Sequence, residues 1–534
     1  MSKAAVSGNL SRRQLLNGGT GIAAMAGLSL LTGTAGPSSV SADEALYASS
    51  GIAYEVYDAD VLVIGAGVSA GQAALQAVSE GRTVTLVDKG PFQFSGVGGM
   101  NFDIMMQSEV KPDDGIPKTA FMCQPELGDK ALYEKSVGYH EWNAPVEYVR
   151  QGVSTLRRNE DGTVFNRYPS ESGAVFTDFG FTRHVTDLAR DKGIVVYDQT
   201  MITDFMVQEG VCRGAIGLHI PTGTVRVFRA NAIVKSTGGC TQFYGWKTVG
   251  ACSTQGGDNT ADTDVAALRH GCQLLGCEFF RWDTVSSKPD GVAFGYNAAF
   301  TCDTNNKEDI VDRDGNAFLK DVANRTEFFQ AVARAIADGK ANDGGSFTAK
   351  MTPEIVAKMR PAYKRNIELW KKAFGIDVEG SDIEVELQCY EHGGSPRVDD
   401  TMMVLGMAGL FDVRGGEALG TNGGMSGGST HRQARYAAAC AAAWAKDHSR
   451  DDVVDLDWSA VEAEAARLYE ALSCQAENPL RSHEIRHAIQ RACYIGIAPA
   501  GNADRYDECI AELERIIADD LPRQTVANKT RVFN

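Results

Sequence analysis

Asp60-Val61-Leu62-Val63-Ile64-Gly65-Ala66-Gly67-Val68-Ser69-Ala70-Gly71 is the stretch that decides the fold. Its opening apolar run is the pattern of a strand buried on both faces of a parallel sheet. The run enters G-x-G-x-x-A, and an Ala- and Leu-rich helical stretch follows to Val78. Thr83-Val84-Thr85-Leu86-Val87 reads as a second strand and ends on Asp88. In this strand–turn–helix–strand setting each residue has a task. Gly65 permits the tight turn, Gly67 lets the backbone approach a pyrophosphate, and Ala70 keeps helix and strand close. The helix N-terminus then faces the phosphates. Asp88 is placed to accept hydrogen bonds from ribose hydroxyls. The expected fold class is α/β, with a Rossmann-like dinucleotide-binding domain of parallel strands flanked by helices.

The rest of the chain narrows the possibilities. Its 534 residues suffice for several domains and sizeable cores. Hydrophobic residues at 43% and charged residues at 23% exclude wholesale disorder, a collagen-like fibre and a polytopic membrane protein. A formal net charge of -17 without a concentrated basic patch argues against a nucleic-acid partner. The 12 cysteines form no C-x-x-C pair and no haem attachment site, so they read as small buried hydrophobes. An iron–sulfur cluster assembled from distant cysteines stays open, because ligands need only meet in space.

The first 42 residues read as an address. Ser11-Arg12-Arg13-Gln14-Leu15-Leu16 places paired arginines before a mild apolar run, and Val40-Ser41-Ala42 forms a small-x-small cleavage pattern. This is the pattern of a twin-arginine export signal. The run is too rich in Gly, Ala and Thr for a membrane anchor. The expectation is a protein exported already folded to the periplasm or the outer face of the cytoplasmic membrane. No stable transmembrane segment is expected after cleavage.

Several Gly-rich segments lie downstream. Ser95-Gly96-Val97-Gly98-Gly99-Met100-Asn101 is a second loop, and Ala232-Ile233-Val234-Lys235-Ser236-Thr237-Gly238-Gly239 is a strand ending in T-G-G. Gly409-Leu410-Phe411 leads to Gly416-Glu417 and then to Gly423-Gly424-Met425-Ser426-Gly427-Gly428-Ser429-Thr430, before an Ala-rich helix over 435–445. Add Gly271-Cys272 to Glu278-Phe279, V-D-R-D-G at 311–315 and Gly393-Gly394-Ser395-Pro396. Across about residues 58–445 the chain then resembles the flavoprotein subunits of fumarate reductase and succinate dehydrogenase, with their adenylylsulfate reductase and ketosteroid dehydrogenase relatives. The resemblance implies FAD as cofactor. It implies an FAD-binding domain over 58–284 and 385–445, interrupted by an α+β capping domain over 285–384 and followed by a helical region over 446–534. The implied FAD residues are Gly65, Ala66, Gly67, Ser69, Ala70, Asp88, Lys89, Ser95, Gly98, Gly99, Met100 and Asn101. Thr237, Gly238, Gly239, Asp262, Glu417, Ser429 and Thr430 complete the set. Glu417 would meet the ribityl chain. The amides around Ser429 and Thr430 would face the flavin carbonyl end, where a helix N-terminus favours the reduced anion.

The same resemblance implies chemistry at a C=C bond. Flavin delivers hydride to one carbon, a polarising group stabilises charge on a carbonyl oxygen, and an acid protonates the other carbon. Spacing from Phe318 makes Arg325 the implied proton donor, with Asp321 as the carboxylate that reloads it. His392 is a further candidate at the turn. The family's dicarboxylate clamps are replaced: Cys389 and Asp283 stand where histidines are expected, and Met425 where an arginine is. A dicarboxylate without those cations is poorly paired. That points to another electron-poor alkene: an enone, enoate or unsaturated lactone. The chain is similar in this to exported, haemless reductases of gut anaerobes, of the cardiac-glycoside (digoxin) reductase type. The alternatives are a fumarate reductase proper, a ketosteroid-type dehydrogenase running in reverse, and a non-catalytic FAD electron-transfer subunit. With no haem motif, electrons for anaerobic respiration would come from a membrane-anchored cytochrome or quinol-linked donor. His483-Glu484-Ile485-Arg486-His487 fits H-E-x-x-H, yet no other protease signal accompanies it, and it reads as a solvated helix face rather than a metal site.

Overall fold

The computed structural model describes residues 46–47, 53–91, 93–96, 104–106, 130–139, 174–176, 181–240, 243, 259–278, 280–286, 307–323, 325–343, 345–357, 367–368, 371–372, 375, 377–392, 394–414, 427–449, 458–470, 474–496 and 502–525. Strand β1 (Ala53–Ile64) passes through Gly65–Gly67 into helix α1 (Val68–Ser79) and strand β2 (Val84–Val87). Helix α2 (Phe181–Asp191) precedes four strands: β3 (Val195–Tyr197), β4 (Thr200–Gln208), β5 (Val211–His219) and β6 (Thr224–Lys235). After helix α3 (Asp262–Arg269) come β7 (Phe280–Ser286), β8 (Ile310–Val311), α4 (Arg325–Ala337), β9 (Ser346–Lys350) and β10 (Asp382–His392). The chain closes with β11 (Leu410–Asp412) and helices α5 (Gly427–Asp447), α6 (Trp458–Tyr469), α7 (Ser482–Gly496) and α8 (Ala503–Arg515).

The main sheet runs β3-β2-β1-β6-β5-β4. β3, β2, β1 and β6 are parallel neighbours, while β4 and β5 form an antiparallel meander on β6. β6 is the hinge of the architecture. Along one edge it pairs with β1 from Tyr54↔Val225 to Ile64↔Lys235. Its other edge is shared: β5 takes residues 224–229, and β11 takes Ile233 to Lys235 in parallel. Cross-strand pairs lock the register of β1 on β6. Arg229 holds Asp58 with two hydrogen bonds at 2.5 and 2.6 Å, and Asn231 donates to Asp60 at 2.7 Å.

Small residues set the layer spacing. Ala70, Ala73, Ala74 and Ala77 of α1 are fully buried, as are Ala434, Ala437, Ala438 and Ala441 of α5. Two Ala-faced helices can lie close together over the sheet, and Arg435 of α5 seals the contact by donating to Gln72 and Gln76 of α1 at 3.0 and 3.2 Å. A side chain at Gly71 would overlap Val185 of α2. The first core gathers this sheet and its helices. α6 covers the far part of the sheet, where Val461, Ala465 and Tyr469 pack on Tyr54, Ile216 and Val225.

A second sheet, β7-β10-β9-β8, is antiparallel throughout and has its own core with α4, including Phe328, Phe329, Val332, Phe347 and Leu387. Strands β7 and β10 straddle the limits drawn at 285 and 384, because β7 begins at Phe280 and β10 runs to His392. The sequence-expected architecture is thus present: a Rossmann-like sheet, a separate small-sheet unit and C-terminal helices. No helix among the described residues is long and apolar enough to cross a membrane.

Candidate functional site

The C-terminal ends of β1, β2, β6 and β11 meet at one edge of the main sheet, and Gly65, Gly67, Gly96 and Gly238 gather there. Gly65 leaves β1 with φ +109, and a Cβ there would overlap the carbonyl oxygen of Ser236 at the end of β6. The residue must therefore be Gly for two reasons, one conformational and one steric. Gly65→Ala is expected to weaken FAD affinity about tenfold or more, given the 1–3 kcal/mol typical of backbone strain. Titration of FAD into the apoprotein measures this, and undiminished affinity would refute the close approach. Gly67 lies against Gly96, so the first two Gly-rich segments touch. Gly67 is also the N-cap of α1 and offers no side-chain cap, which leaves the first-turn N–H groups directed at any phosphate placed before them.

Asp88 organises this turn rather than only awaiting a ligand. Its Oδ2 accepts from the Ala66 N–H at 2.6 Å, and its Oδ1 accepts from the Gly90 N–H and the Ser95 hydroxyl, both at 2.7 Å. Burial pushes the carboxyl above its ordinary range against the pull of these three donors. A carboxylate offers about four lone-pair sites, so one remains for a ribose hydroxyl. Next door, Lys89 Nζ contacts Asp262 Oδ2 at 2.6 Å and Thr260 Oγ1 at 2.5 Å, which ties β2 to the first residue of α3. Thr237 shares a hydrogen bond with Thr263 of α3 at 2.8 Å, and Gly238 turns with φ +71 beside Asn259. Ala66 and Ala70 are fully buried, and Gly239 is buried just beyond the turn.

The structure thus brings together Gly65, Ala66, Gly67, Ser69, Ala70, Asp88, Lys89, Ser95, Thr237, Gly238, Gly239 and Asp262. Ser429 and Thr430 lie in the first turn of α5. Gly98, Gly99, Met100, Asn101, Glu417 and Met425 lie outside the described residues, as does the export segment. In the second unit, Arg325 is the first residue of α4, and His392 is the last of β10, paired with Phe280. Asp321 is exposed on the turn before α4. Glu327 accepts from the Ala323 N–H at 2.8 Å and so fixes how the chain enters that helix. Cys389, at the expected clamp position, is fully buried in β10 opposite Trp282.

Two buried polar groups escape the motif reading. Lys235 is fully buried and bridges Asp264 of α3 at 2.7 Å and Asp412 of β11 at 2.8 Å. Burial works against its charge, but the two carboxylates outweigh it and hold the ammonium above the usual lysine range. Arg414 extends the group, its N–H donating to Asp412 at 2.8 Å and its guanidinium to the Gly238 carbonyl at 3.1 Å. Three FAD-motif segments are therefore pinned to one ammonium directly below the T-G-G turn. The sequence did carry a signal: a Lys inside Ala232-Ile233-Val234-Lys235 and an Asp closing Leu410-Phe411-Asp412 are charges in runs that otherwise read as buried strand. The second group is His431-Arg432-Gln433, wholly buried at the start of α5. Burial, with the Arg435 charge adding to it, pushes the His431 imidazole down to about 3, so it is neutral.

His483 and Glu484 are settled by geometry. Glu484 Oε2 accepts from the Arg481 N–H at 2.7 Å, so the carboxylate that would serve a zinc hydrolase as base instead caps α7. No group of three or more His, Cys, Asp or Glu that could hold a metal occurs among the described residues, nor does any iron–sulfur ligand set.

A turn shaped for pyrophosphate, an uncapped helix N-terminus and an acid beside it make this an FAD-binding protein, and the residues present fit that cofactor. The chain belongs to the FAD binding domain family, whose model matches residues 60–369. It is an FAD-dependent oxidoreductase, similar along most of its length to fumarate reductase and succinate dehydrogenase flavoproteins. A fumarate reductase (CoM/CoB) chain of Methanothermobacter marburgensis is 24% identical over 487 residues, 83% of this chain and 82% of that protein. Among solved structures, Mycobacterium smegmatis Sdh1 in complex with UQ1 superposes with a TM-score of 0.75 at 19% identity, covering 90% of this chain and 83% of that one. The quinol fumarate reductase flavoprotein of E. coli reaches 0.69 at 19% identity, over 89% and 85% respectively.

Proposed function

We propose that this protein reduces a C=C bond conjugated to a carboxylate or carbonyl, with fumarate the leading acceptor. The reading rests on the FAD cradle together with the similarity to the Methanothermobacter fumarate reductase, which extends over 83% of the chain. This similarity favours fumarate over the bulkier alkenes that the substituted clamp suggests. When bound, FAD would supply hydride to one alkene carbon. The chain's residues do the rest. Gly65, Gly67 and the start of α1 would hold the pyrophosphate, and Asp88 with Lys89 and Asp262 would hold the adenosine end. Arg325 donates a proton to the second carbon. A guanidinium gives up a proton reluctantly, so the site must be dry and a carboxylate, Asp321, must reload it. The second sheet unit is the element that would exclude water.

A second reading is favoured by Cys389. Sealed inside β10, it brings no cation to a second carboxylate. An enone, monocarboxylic enoate or unsaturated lactone would need none. One experiment separates the two. The enzyme is reduced anaerobically and mixed with fumarate, with an unsaturated monoacid, and with enones and lactones, while flavin reoxidation is followed. Rapid reoxidation by micromolar fumarate supports the first reading. Rapid reoxidation by enones or lactones alone moves the assignment to the second. Reoxidation by none of them, with flavin reduced by succinate or a saturated ketone, would show a dehydrogenase.

The electrons are proposed to come from a membrane-anchored cytochrome or quinol-linked donor, met outside the cytoplasmic membrane after twin-arginine export. Replacing Arg12 and Arg13 by Lys keeps charge but removes the forked guanidinium donors. The precursor is expected to stay in the cytoplasmic fraction, and undiminished export would remove that part of the proposal.

A further inference from the structure

Helices α7 and α8 carry a feature that the flavin chemistry does not use. Cys493 of α7 and Cys509 of α8 are both free thiols, and Cys509 packs against Gly496, one turn beyond Cys493 on the same helix. The approach depends on that glycine, where a Cβ would stand 2.7 Å from Cys509 Sγ. The two sulfurs differ in setting. Cys493 is 8% exposed, whereas Cys509 is half-buried on a helix with no fully buried residue.

We propose that Cys493 and Cys509 form a redox-active pair that closes to a disulfide by exchange with a small-molecule or protein disulfide, clasping α7 to α8. Cys509, the accessible sulfur, attacks the oxidant as thiolate and forms a mixed disulfide, releasing one thiol. Cys493 then attacks the Cys509 sulfur and expels the second thiol. Two cysteine thiols are oxidised by two electrons, one external disulfide is reduced to two thiols, and the two protons end on those thiols. Burial pushes the Cys493 thiol up to about 12, so this resolving step is slow at neutral pH and quickens with alkali. The inference does not depend on the flavin substrate.

The test uses the folded, flavin-loaded protein and oxidised glutathione as the probe. After incubation, remaining thiols are alkylated in denaturant and the protein is analysed by mass spectrometry. The expected result is a loss of about 2 Da before alkylation, two fewer alkylated cysteines, and a linked peptide pair containing Cys493 and Cys509. Cys493→Ser should instead trap one glutathione on Cys509, and Cys509→Ser should remain unmodified at Cys493. Gly496→Ala, which keeps both thiols but crowds Cys509, should slow closure several-fold. Glutathione persisting on Cys509 of the unmutated protein, linkage to a different cysteine, or linkage only after unfolding would each overturn the proposal. The wild-type peptide map decides the matter even if a variant fails to fold.

Discussion

Lys235→Met is expected to destabilise the fold by about 3–5 kcal/mol, the usual cost of removing one member of a buried ion group. The reason is what it leaves behind. Asp264 and Asp412 would face each other in the interior without the ammonium that now lies 2.7 and 2.8 Å from them. One carboxyl must then take up a proton, or the strand ends must part to admit water. Because Asp412 closes β11 and Lys235 closes β6, parting would open the FAD cradle. Flavin should therefore be lost along with stability. Chemical denaturation of the apoprotein and the flavin content of the purified variant measure the two effects. Replacing the whole group, as Lys235→Met with Asp264→Leu and Asp412→Leu, should recover much of the folding stability, because buried ion groups exchange well for apolar side chains of similar volume. A single variant within about 1 kcal/mol of the unmutated protein would show that the group is not electrostatically committed.

Arg325→Ala is expected to cost about 100-fold or more in alkene reduction, the scale of a positioned acid. FAD binding and flavin reduction by dithionite should persist. The position argues for function over stability. Arg325 opens α4, at the positive end of the helix dipole, where a cation is disfavoured. Arg325→Lys should recover little activity, because an ammonium cannot reproduce the guanidinium fork. Rapid-mixing measurements of flavin reduction and reoxidation separate the two half-reactions. A variant that loses flavin or folding together with activity would mark a structural ion pair. Full alkene reduction in the Ala variant would assign the proton to another group.

The parts of the site that could be read from sequence are those whose partners are near in the chain. β1, the Gly65–Gly67 turn, α1 and β2 form one continuous unit, and an apolar run followed by the glycines is enough to identify it. T-G-G after β6 could be read for the same reason. The Lys235 group could not be assembled, although its unusual residues were visible, because Asp264 and Asp412 arrive through tertiary topology. The edges of the second unit were drawn inside its sheet for a similar reason. β7 and β10 are paired with each other from Phe280↔His392 to Ser286↔Val385, and nothing local to either strand announces a partner so distant. Asp88 shows a different gap: the motif marks it as a ligand acid, but its three intramolecular donors appear only once the turn is folded. Glu484, by contrast, was locally legible as a cap at the third position of α7 and was obscured by the zinc-site pattern laid over it.

The divided edge of β6 has a consequence for biosynthesis. Lys235 and Asp412 are separated by 177 positions. A nascent chain that has finished β6 still lacks β11 and the anion that neutralises its lysine. At translation rates of 5–20 residues per second, the gap lasts roughly 9 to 35 s. During that interval the upper edge of β6 is an open strand edge ending in an under-compensated buried cation. The nucleotide cradle therefore closes late, after the second sheet has emerged from the ribosome. Cofactor capture is accordingly a property of the nearly completed polypeptide, not of its N-terminal half.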